Sequence, residues 1–409
     1  MGRLMAITPT SVVLPSEPAP VAAGAGSGRT SVRMALLRIM TMAFIAALFV
    51  PLIGAWRQWD FSSASNENRQ LARAPKLPRN FKEAQKYSDR WLDFFRDHFG
   101  FRNTLIRAVA ETRVHGFVAD TNGNVIIGKA GWLFFRPDGD HNLIAYRGLN
   151  PFSDDELTAW QNFLERRNAW LASKGIPFLV VIPPDKQTIY PEFLPPGYEK
   201  LRAESRLDQL IARLKQTNSP VHLIDLRPAL MAAKPTALLY HKTDTHWNDS
   251  GAFVGYGVII KAVQEMLPRW HIVPQTMSDF VRTPVHPEVG DLARMMDMPD
   301  QYPDRGFQLI RKIPYDVPLD LEDRNATVYF DSHDPTRPHL VIYRDSFTIG
   351  LAPMLGPHFS RVAYACYYTM DPNLIEQEKP DLLISEFLER NLYLPPPTDP
   401  AEIRHFAAR

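Results

Sequence analysis

Hydrophobic and polar positions change pattern several times along the chain, and each change marks an element. Residues 33–56 contain the run from Met34 to Trp56 (MALLRIMTMAFIAALFVPLIGAW), which is apolar over the ~20 residues a helix needs to cross a bilayer and is interrupted only by Arg38. Residues 1–32, rich in Pro, Ala, Gly and Ser, carry no apolar period and read as a disordered tail. Arg29, Arg33 and Arg38 sit on the amino side of the run. The positive-inside rule therefore predicts a signal anchor with its N-terminus in the cytoplasm and everything after about Arg57 outside it. A cleaved signal peptide is the competing reading, since Ile53-Gly54-Ala55 offers small residues. A start at Met34 would remove the tail and keep the topology.

Residues 57–79 are polar and contain prolines, as a linker leaving a membrane would. From Asn80 to Arg113 the apolar residues return at helical spacing (Phe81, Ala84, Tyr87, Trp91, Phe94, Phe95, then Leu105, Ile106, Val109), predicting one or two amphipathic helices broken near Gly100. Arg96, His98 and Arg102 then form a solvated face. Val125 to Phe135 reads as a β-hairpin turning at Gly-Lys-Ala-Gly. Ser153 opens a capping pattern, Ser-Asp-Asp-Glu, for a helix running to about Lys174, where Gly175 stops it.

Beyond Gly175 short apolar runs alternate with helical ones. Strands are predicted at Pro177–Ile182, Val221–Leu226, Leu340–Tyr343, Val362–Cys366 and Asp381–Glu386, with helices over about Arg202–Gln216 and after Asn248. Continuous apolar runs of this length are those of parallel strands buried on both faces, so the fold class is α/β with a doubly wound parallel sheet. The main domain is residues 80–392. Within it, residues 268–337 are an irregular, proline-rich excursion of the kind that shapes a substrate groove, and residues 393–409 are a C-terminal tail. There is no internal repeat.

Composition narrows the function classes. The formal net charge of +1, without a long like-charge block, gives no field for nucleic acid. Cys366 is the only cysteine, which excludes an intramolecular disulfide and a multi-cysteine zinc site; its apolar surroundings predict a buried thiol. No P-loop or Rossmann glycine pattern is present to hold a nucleotide, and no cofactor is expected.

The chemistry centres on two stretches. Lys242-Thr243-Asp244-Thr245-His246-Trp247-Asn248 puts a carboxylate and an imidazole two residues apart ahead of a helix, and the strand Leu340–Tyr343 runs into Arg344-Asp345-Ser346-Phe347. In an α/β sheet a residue just past a strand's carboxyl end lies where ligands bind, and a tight strand-to-helix turn projects a serine hydroxyl there. Ser346, His246 and Asp244 together read as nucleophile, general base and the group that fixes the imidazole tautomer. Each signal has a plainer alternative. A D-x-H pair can be structural hydrogen bonding, Ser346 can cap a helix, and Asn248 can cap the next one. His241, Asp244 and His246 could also be metal ligands, although their spacing fits no zinc motif.

The Tyr343-Arg344-Asp345-Ser346-Phe347 block is similar to the G-D-S motif of SGNH hydrolases, with Arg344 in place of glycine. Asp244-Thr245-His246-Trp247-Asn248 resembles their D-x-x-H block, shortened and placed upstream. This circularly permuted order resembles the alginate O-acetyltransferases of the AlgJ and AlgX type. The likeness extends to Asn66–Arg69, Asp97–Arg102, Gly131–Phe134, Pro184-Asp185-Lys186, Ile189–Pro191 and Pro380–Arg390. The resemblance implies a membrane-anchored periplasmic O-acetyltransferase acting on an exopolysaccharide, single-pass in the inner membrane, with Asp244, His246 and Ser346 catalytic. The implied partners are a polysaccharide acceptor and a membrane-bound O-acyltransferase that supplies acetyl groups across the membrane. Arg344, Tyr343 and Lys186 are expected in the substrate groove. A carbohydrate acetyl esterase, or a non-catalytic carbohydrate-binding subunit of an export complex using the aromatics at Trp132–Phe135 and Tyr364–Tyr368, are the alternatives.

Overall fold

The computed structural model of the chain describes residues 27–57, 72–78, 86–102, 104, 124–137, 141–284, 290–296, 298–304, 306–313, 321 and 326–397. The tail expected over 1–32, most of the linker, the helical repeats at Phe81, Ala84, Leu105, Ile106 and Val109, and the tail beyond Pro397 lie largely or wholly outside the described residues.

Helix α1, Ser27–Arg57, covers the run read as a membrane anchor, and its side chains from Met34 to Ala47 are exposed. Among the described residues, however, no helix is long and apolar enough to cross a membrane. The anchoring role is therefore not established by the fold. Helix α2, Tyr87–His98, has no buried residue, so Arg96 and His98 do form a solvated face.

The hairpin forms as expected: β1, Val125–Ile127, pairs antiparallel with β2, Leu133–Phe135. Its turn uses positive φ at Ala130 (54°) and Gly131 (78°). Helix α3, His141–Arg147, follows, then α4, Asp154–Ser173, whose N-terminus is closed by the reciprocal Ser153–Glu156 capping box. The chain continues through β3 (Phe178–Ile182), α5 (Lys186–Ile189), α6 (Arg206–Gln216), β4 (His222–Asp225), α7 (Arg227–Ala233) and α8 (Asp249–Met266). It then passes β5 (Phe280–Pro284), α9 (Asp291–Met295), β6 (Phe307–Arg311) and β7 (Thr327–Asp331) before β8 (His339–Tyr343), α10 (Thr348–Leu355), β9 (Arg361–Ala365), α11 (Pro372–Glu378) and β10 (Leu382–Glu386).

Six strands form the central sheet in the order β4-β3-β10-β8-β9-β7. Five predicted strands run parallel, but β7 pairs antiparallel with β9. The expectation of a wholly parallel sheet is corrected to a mixed one. The added strand comes from the segment read as irregular; it is an edge with one buried residue, Phe330, so it lacks the continuous apolar run that betrays the central strands. The same segment also forms the small β5–β6 sheet.

Side-chain alternation explains the three layers. Phe178, Val180, Ile182, Val341, Tyr343 and Leu383 pack with α4 and α6 on one face. Leu179, Val181, Leu340, Ile342, Leu382 and Ile384 pack with α8 and α10 on the other. Both faces being covered, β3 and β10 are buried at every position, which pins their register.

Candidate active site

Two loops at the carboxyl ends of the strands converge. The first is closed by an antiparallel bridge between Tyr240 and Trp247 and by the hydrogen bond from Asn248 N–H to the Leu239 carbonyl (2.9 Å). Asn248 then caps α8, its Oδ1 accepting from the Ser250 and Gly251 N–H groups at 3.0 and 3.1 Å. The second loop is the turn Arg344-Asp345-Ser346-Phe347 between β8 and α10. Here the Asp345 carboxylate accepts from the Phe347 N–H (2.9 Å), so the aspartate holds the turn and leaves the serine hydroxyl for another partner.

That partner is His246. Ser346 Oγ lies 2.7 Å from His246 Nε2, and His246 Nδ1 lies 2.6 Å from Asp244 Oδ1. Asp244 Oδ1 also accepts the His246 backbone N–H (2.9 Å), while Oδ2 accepts the Asp291 N–H (2.8 Å). An ionised Asp244 accepts at both oxygens, so Nδ1 carries the imidazole proton and Nε2 is left to accept from the serine. Burial alone would lift the Asp244 carboxyl, but the His246 hydrogen bond and charge hold it well below the usual carboxylate range. Burial would likewise lower His246, and the Asp244 bond and charge, with Asp291, outweigh it and raise the imidazole. The Phe347 ring packs against His246 with centroids 5.0 Å apart, shielding one side of the imidazole.

Beside the serine lies a cavity of about 550 Å³ lined by Tyr367, Tyr368, Thr369, Leu388, Arg390 and Asn391, with Cys366 at its wall. A larger groove of about 820 Å³ opens among the loops at Lys174–Pro177, Met266–Arg269 and Lys379–Asp381, at the opposite ends of the strands and away from this chemistry. Arg390 is held by Asp185 (Nη1 to Oδ1 2.5 Å), and Tyr368 donates to Asp345 Oδ2 (2.9 Å) while accepting from Asn391 Nδ2 (2.6 Å). Behind them Glu386, buried next to Asp345 and hydrogen-bonded by Thr348, has its carboxyl pushed well upward by burial. The cavity wall is thus built on a buried network of acids with the guanidiniums of Arg390 and Arg344 among them.

The predicted site residues separate into two groups. Ser346, His246 and Asp244 come together in one hydrogen-bonded line. Lys186, Tyr343 and Arg344 have buried side chains, each about 1–2 % exposed. The Lys186 ammonium donates to the carbonyls of His241, Lys242 and Asp244 at 3.1, 3.2 and 2.6 Å, beneath the loop that carries Asp244 and His246. Tyr343 turns into the α4–α6 layer and donates to the Asp371 carbonyl (3.1 Å). Arg344 borders the cavity, but its guanidinium donates to the carbonyls of Leu321 (2.7 Å) and Asp345 (3.3 Å). Cys366, expected buried, is partly exposed at the cavity wall. Trp132 is core, stacked on Phe193 at 4.5 Å, whereas Tyr367 and Tyr368 do face the cavity.

Asp291 was not among the expected residues. Its carboxylate, 3.8 Å from His246 Nδ1, completes a cluster with Asp244 and His246 whose possible ligand atoms lie within 4.8 Å of one another. Both imidazole nitrogens are already engaged, so an ion there would have to displace the hydrogen bond to Asp244 or the one to Ser346. His241, in the alternative ligand set, instead faces Asp304 at 3.8 Å.

Residues 125–331 match the family described as SGNH hydrolase-like domain, acetyltransferase AlgX. The match contains Asp244, His246 and Asp291 and ends before Ser346. A curated relative, the probable alginate O-acetylase AlgJ of Pseudomonas syringae pv. tomato (strain ATCC BAA-871 / DC3000), is 24% identical over 264 residues, 64% of this chain and 61% of its own length. The chain thus spans about three fifths of that relative. Among solved structures, Bacillus cereus PatB1 shares the fold at 15% identity and a TM-score of 0.50, covering 66% of this chain and 96% of that one. The O-acetyltransferase domain of Pseudomonas putida AlgJ is similar at 21% identity and a TM-score of 0.47, over 70% and 99% of the two chains.

Proposed function

The chain belongs to the AlgX family of SGNH hydrolase-like acetyltransferases, and on that premise we propose that it moves acetyl groups to hydroxyls of an exopolysaccharide through an acetyl-Ser346 intermediate. The observation that carries this reading is the line Ser346–His246–Asp244, with heavy-atom distances of 2.7 and 2.6 Å, at the carboxyl ends of a buried sheet beside a cavity. Ser346 Oγ attacks the acetyl carbonyl as its proton passes to His246 Nε2. The tetrahedral carbon then expels the donor's oxygen, which takes that proton. In the second half a sugar hydroxyl gives its proton to His246 and attacks the acetyl-serine, and the serine leaves with the proton restored. Asp244 stabilises the imidazolium in both halves, and the Ser346 N–H at the turn receives the oxyanion.

The acceptor is an alginate-like or other glycan. Support comes from the curated relative's name as an alginate O-acetylase and from the two tyrosines, Tyr367 and Tyr368, on the cavity wall. The chain acts on the periplasmic side of the inner membrane, anchored by the apolar run Met34–Trp56 with its basic N-terminal flank. Acetyl-CoA is cytoplasmic, so a multispanning membrane-bound O-acyltransferase delivers the acetyl group to Ser346.

The test uses the purified full chain in detergent with a chromogenic acetyl ester and a panel of oligosaccharides, beside its Ser346→Ala variant. Acetyl release that disappears in the variant, with acetate appearing on a sugar by mass, is the expected result. Release to water alone would make the chain an esterase, and equal release in both proteins would remove Ser346 as the nucleophile.

A further inference from the structure

The segment read as an irregular excursion contributes a carboxylate to the back of the catalytic loop. Asp291 sits where the chain enters α9, and its Oδ1 accepts from the Thr245 N–H (2.7 Å) while its Oδ2 accepts from the Thr245 hydroxyl. Its own N–H donates to Asp244 Oδ2 at 2.8 Å, and its Oδ2 stands 3.8 Å from His246 Nδ1. Both carboxylate oxygens are therefore used as acceptors, which is the pattern of the ionised form. The preceding residue makes this approach possible. A Cβ on Gly290 would meet the Thr243 carbonyl oxygen at 2.1 Å and the Asp244 nitrogen at 2.6 Å, so only glycine lets the two backbones run this close. The Ala293 N–H adds a bond to the Thr243 carbonyl at 3.3 Å.

We propose that Asp291 is a positioning residue of the catalytic machinery: a second carboxylate that fixes Asp244 through its N–H and shares the stabilisation of the His246 imidazolium through its charge. The inference rests on the reading of Ser346 as nucleophile and His246 as base. Each half-reaction places a positive charge on His246, and two anions then face its Nδ1 side, one hydrogen-bonded and one just beyond hydrogen-bond reach. The other charges around the imidazole are Arg390, which opposes protonation, and Asp345 beside Ser346; Lys186 lies beneath the loop and faces Asp244, Asp291 and Asp304. Asp291 is itself held upward by burial and by Asp244, as a second anion packed against the first must be. Removing its charge lowers the His246 pKa, so the base is neutral at lower pH but weaker, and its protonated form is less stabilised.

The experiment measures kcat, KM and the pH profile of 4-nitrophenyl acetate cleavage by the full chain in detergent, for the wild type and for Asp291→Asn, Asp291→Glu and Ser346→Ala. Asp291→Asn is expected to lower kcat by roughly ten- to a hundred-fold with KM little changed, and to move the ascending limb of kcat/KM down by about one pH unit. Asp291→Glu, still anionic, restores part of the limb position, which a purely structural contact would not do; this variant decides the matter if the asparagine protein does not fold. An unchanged limb and rate in a folded Asp291→Asn protein would overturn the role of Asp291 while leaving Ser346 as nucleophile. Wild-type activity no greater than that of Ser346→Ala would overturn the nucleophile reading and this inference with it.

Discussion

The Lys186 ammonium donates to the Asp244 carbonyl at 2.6 Å, so the residue that orients His246 hangs by its main chain from a buried cation. Burial pulls that ammonium down to about 8, against the opposing pull of Asp244, Asp291 and Asp304. Three carbonyls of the loop share it. Lys186→Met keeps most of the volume and removes every donor. It should destabilise the chain by ~2–5 kcal/mol, from carbonyls that lose a charged donor inside the fold. Thermal melting checks the stability change, and ester kinetics should show a larger fall in kcat than rise in KM because the loop that carries the base loses its register.

On the proposed mechanism Asp244 fixes the imidazole tautomer through its 2.6 Å contact with Nδ1, and its isostere tests that role. Asp244→Asn keeps an acceptor for the Asp291 N–H but presents an amide to His246, which favours the tautomer whose Nε2 bears the proton. Acetyl-ester cleavage should fall by roughly 10³–10⁴-fold with the fold intact. Kinetics paired with circular dichroism decide it, and a loss under tenfold would show that Asp244 does not set the tautomer.

The raised imidazole has a direct consequence for pH. On the proposed mechanism His246 is a base only when neutral, so kcat/KM should climb with pH through an apparent value above the ordinary 6.5 of histidine. Asp244, held far below the neutral range, adds no limb near neutrality. Replacing the charge in Asp244→Asn removes the strongest interaction favouring the imidazolium, so whatever activity remains should climb at lower pH. A pH–rate series on both proteins measures the two limbs; coincident limbs would mean that Asp244 is not the partner that raises His246.

What the sequence displayed and what it concealed follow from the same physics. The four inner parallel strands, β3, β8, β9 and β10, were legible because both of their faces are buried, which leaves continuous apolar runs such as Phe178–Ile182; β4, at the edge with only Ile224 buried, carries a weaker run. The edge strand Thr327–Asp331 was not, since only Phe330 is buried and exposed positions accept almost any residue. Asp244 and His246 were legible because they share one loop, and Ser346 because it follows a buried strand. Asp291 was not, because its part depends on a glycine's close approach to Thr243, a tertiary event with no periodic trace. Alternation did hold the signal that Tyr343 misses the groove. It shares parity with Val341, and both enter the helical layer of α4 and α6. Lys186 offered no local signal, since the carbonyls that bind it are more than fifty residues away.

Away from the site, the buried Tyr256–His358 pair should make stability depend on pH. Tyr256 OH accepts the Gln275 N–H at 2.7 Å and lies 2.8 Å from His358 Nε2, a contact that the neutral imidazole makes by accepting the phenol proton. Burial, with the charges of Arg311 and Arg337, lowers His358 to about 4. The unfolded chain takes up its proton first, near the ordinary 6.5, so between 6.5 and 4 the unfolded state binds more protons and stability falls as pH falls. The contribution is complete above 6.5 and lost through 4, and a depression of this size corresponds to about 3 kcal/mol at full development. Urea midpoints at a series of pH values between these limits should decline for the wild type. In His358→Gln, which can still accept from Tyr256 but does not titrate, the decline should be shallower by that amount. Parallel slopes in the two proteins would place the acid sensitivity elsewhere, among the buried carboxylates around Arg390.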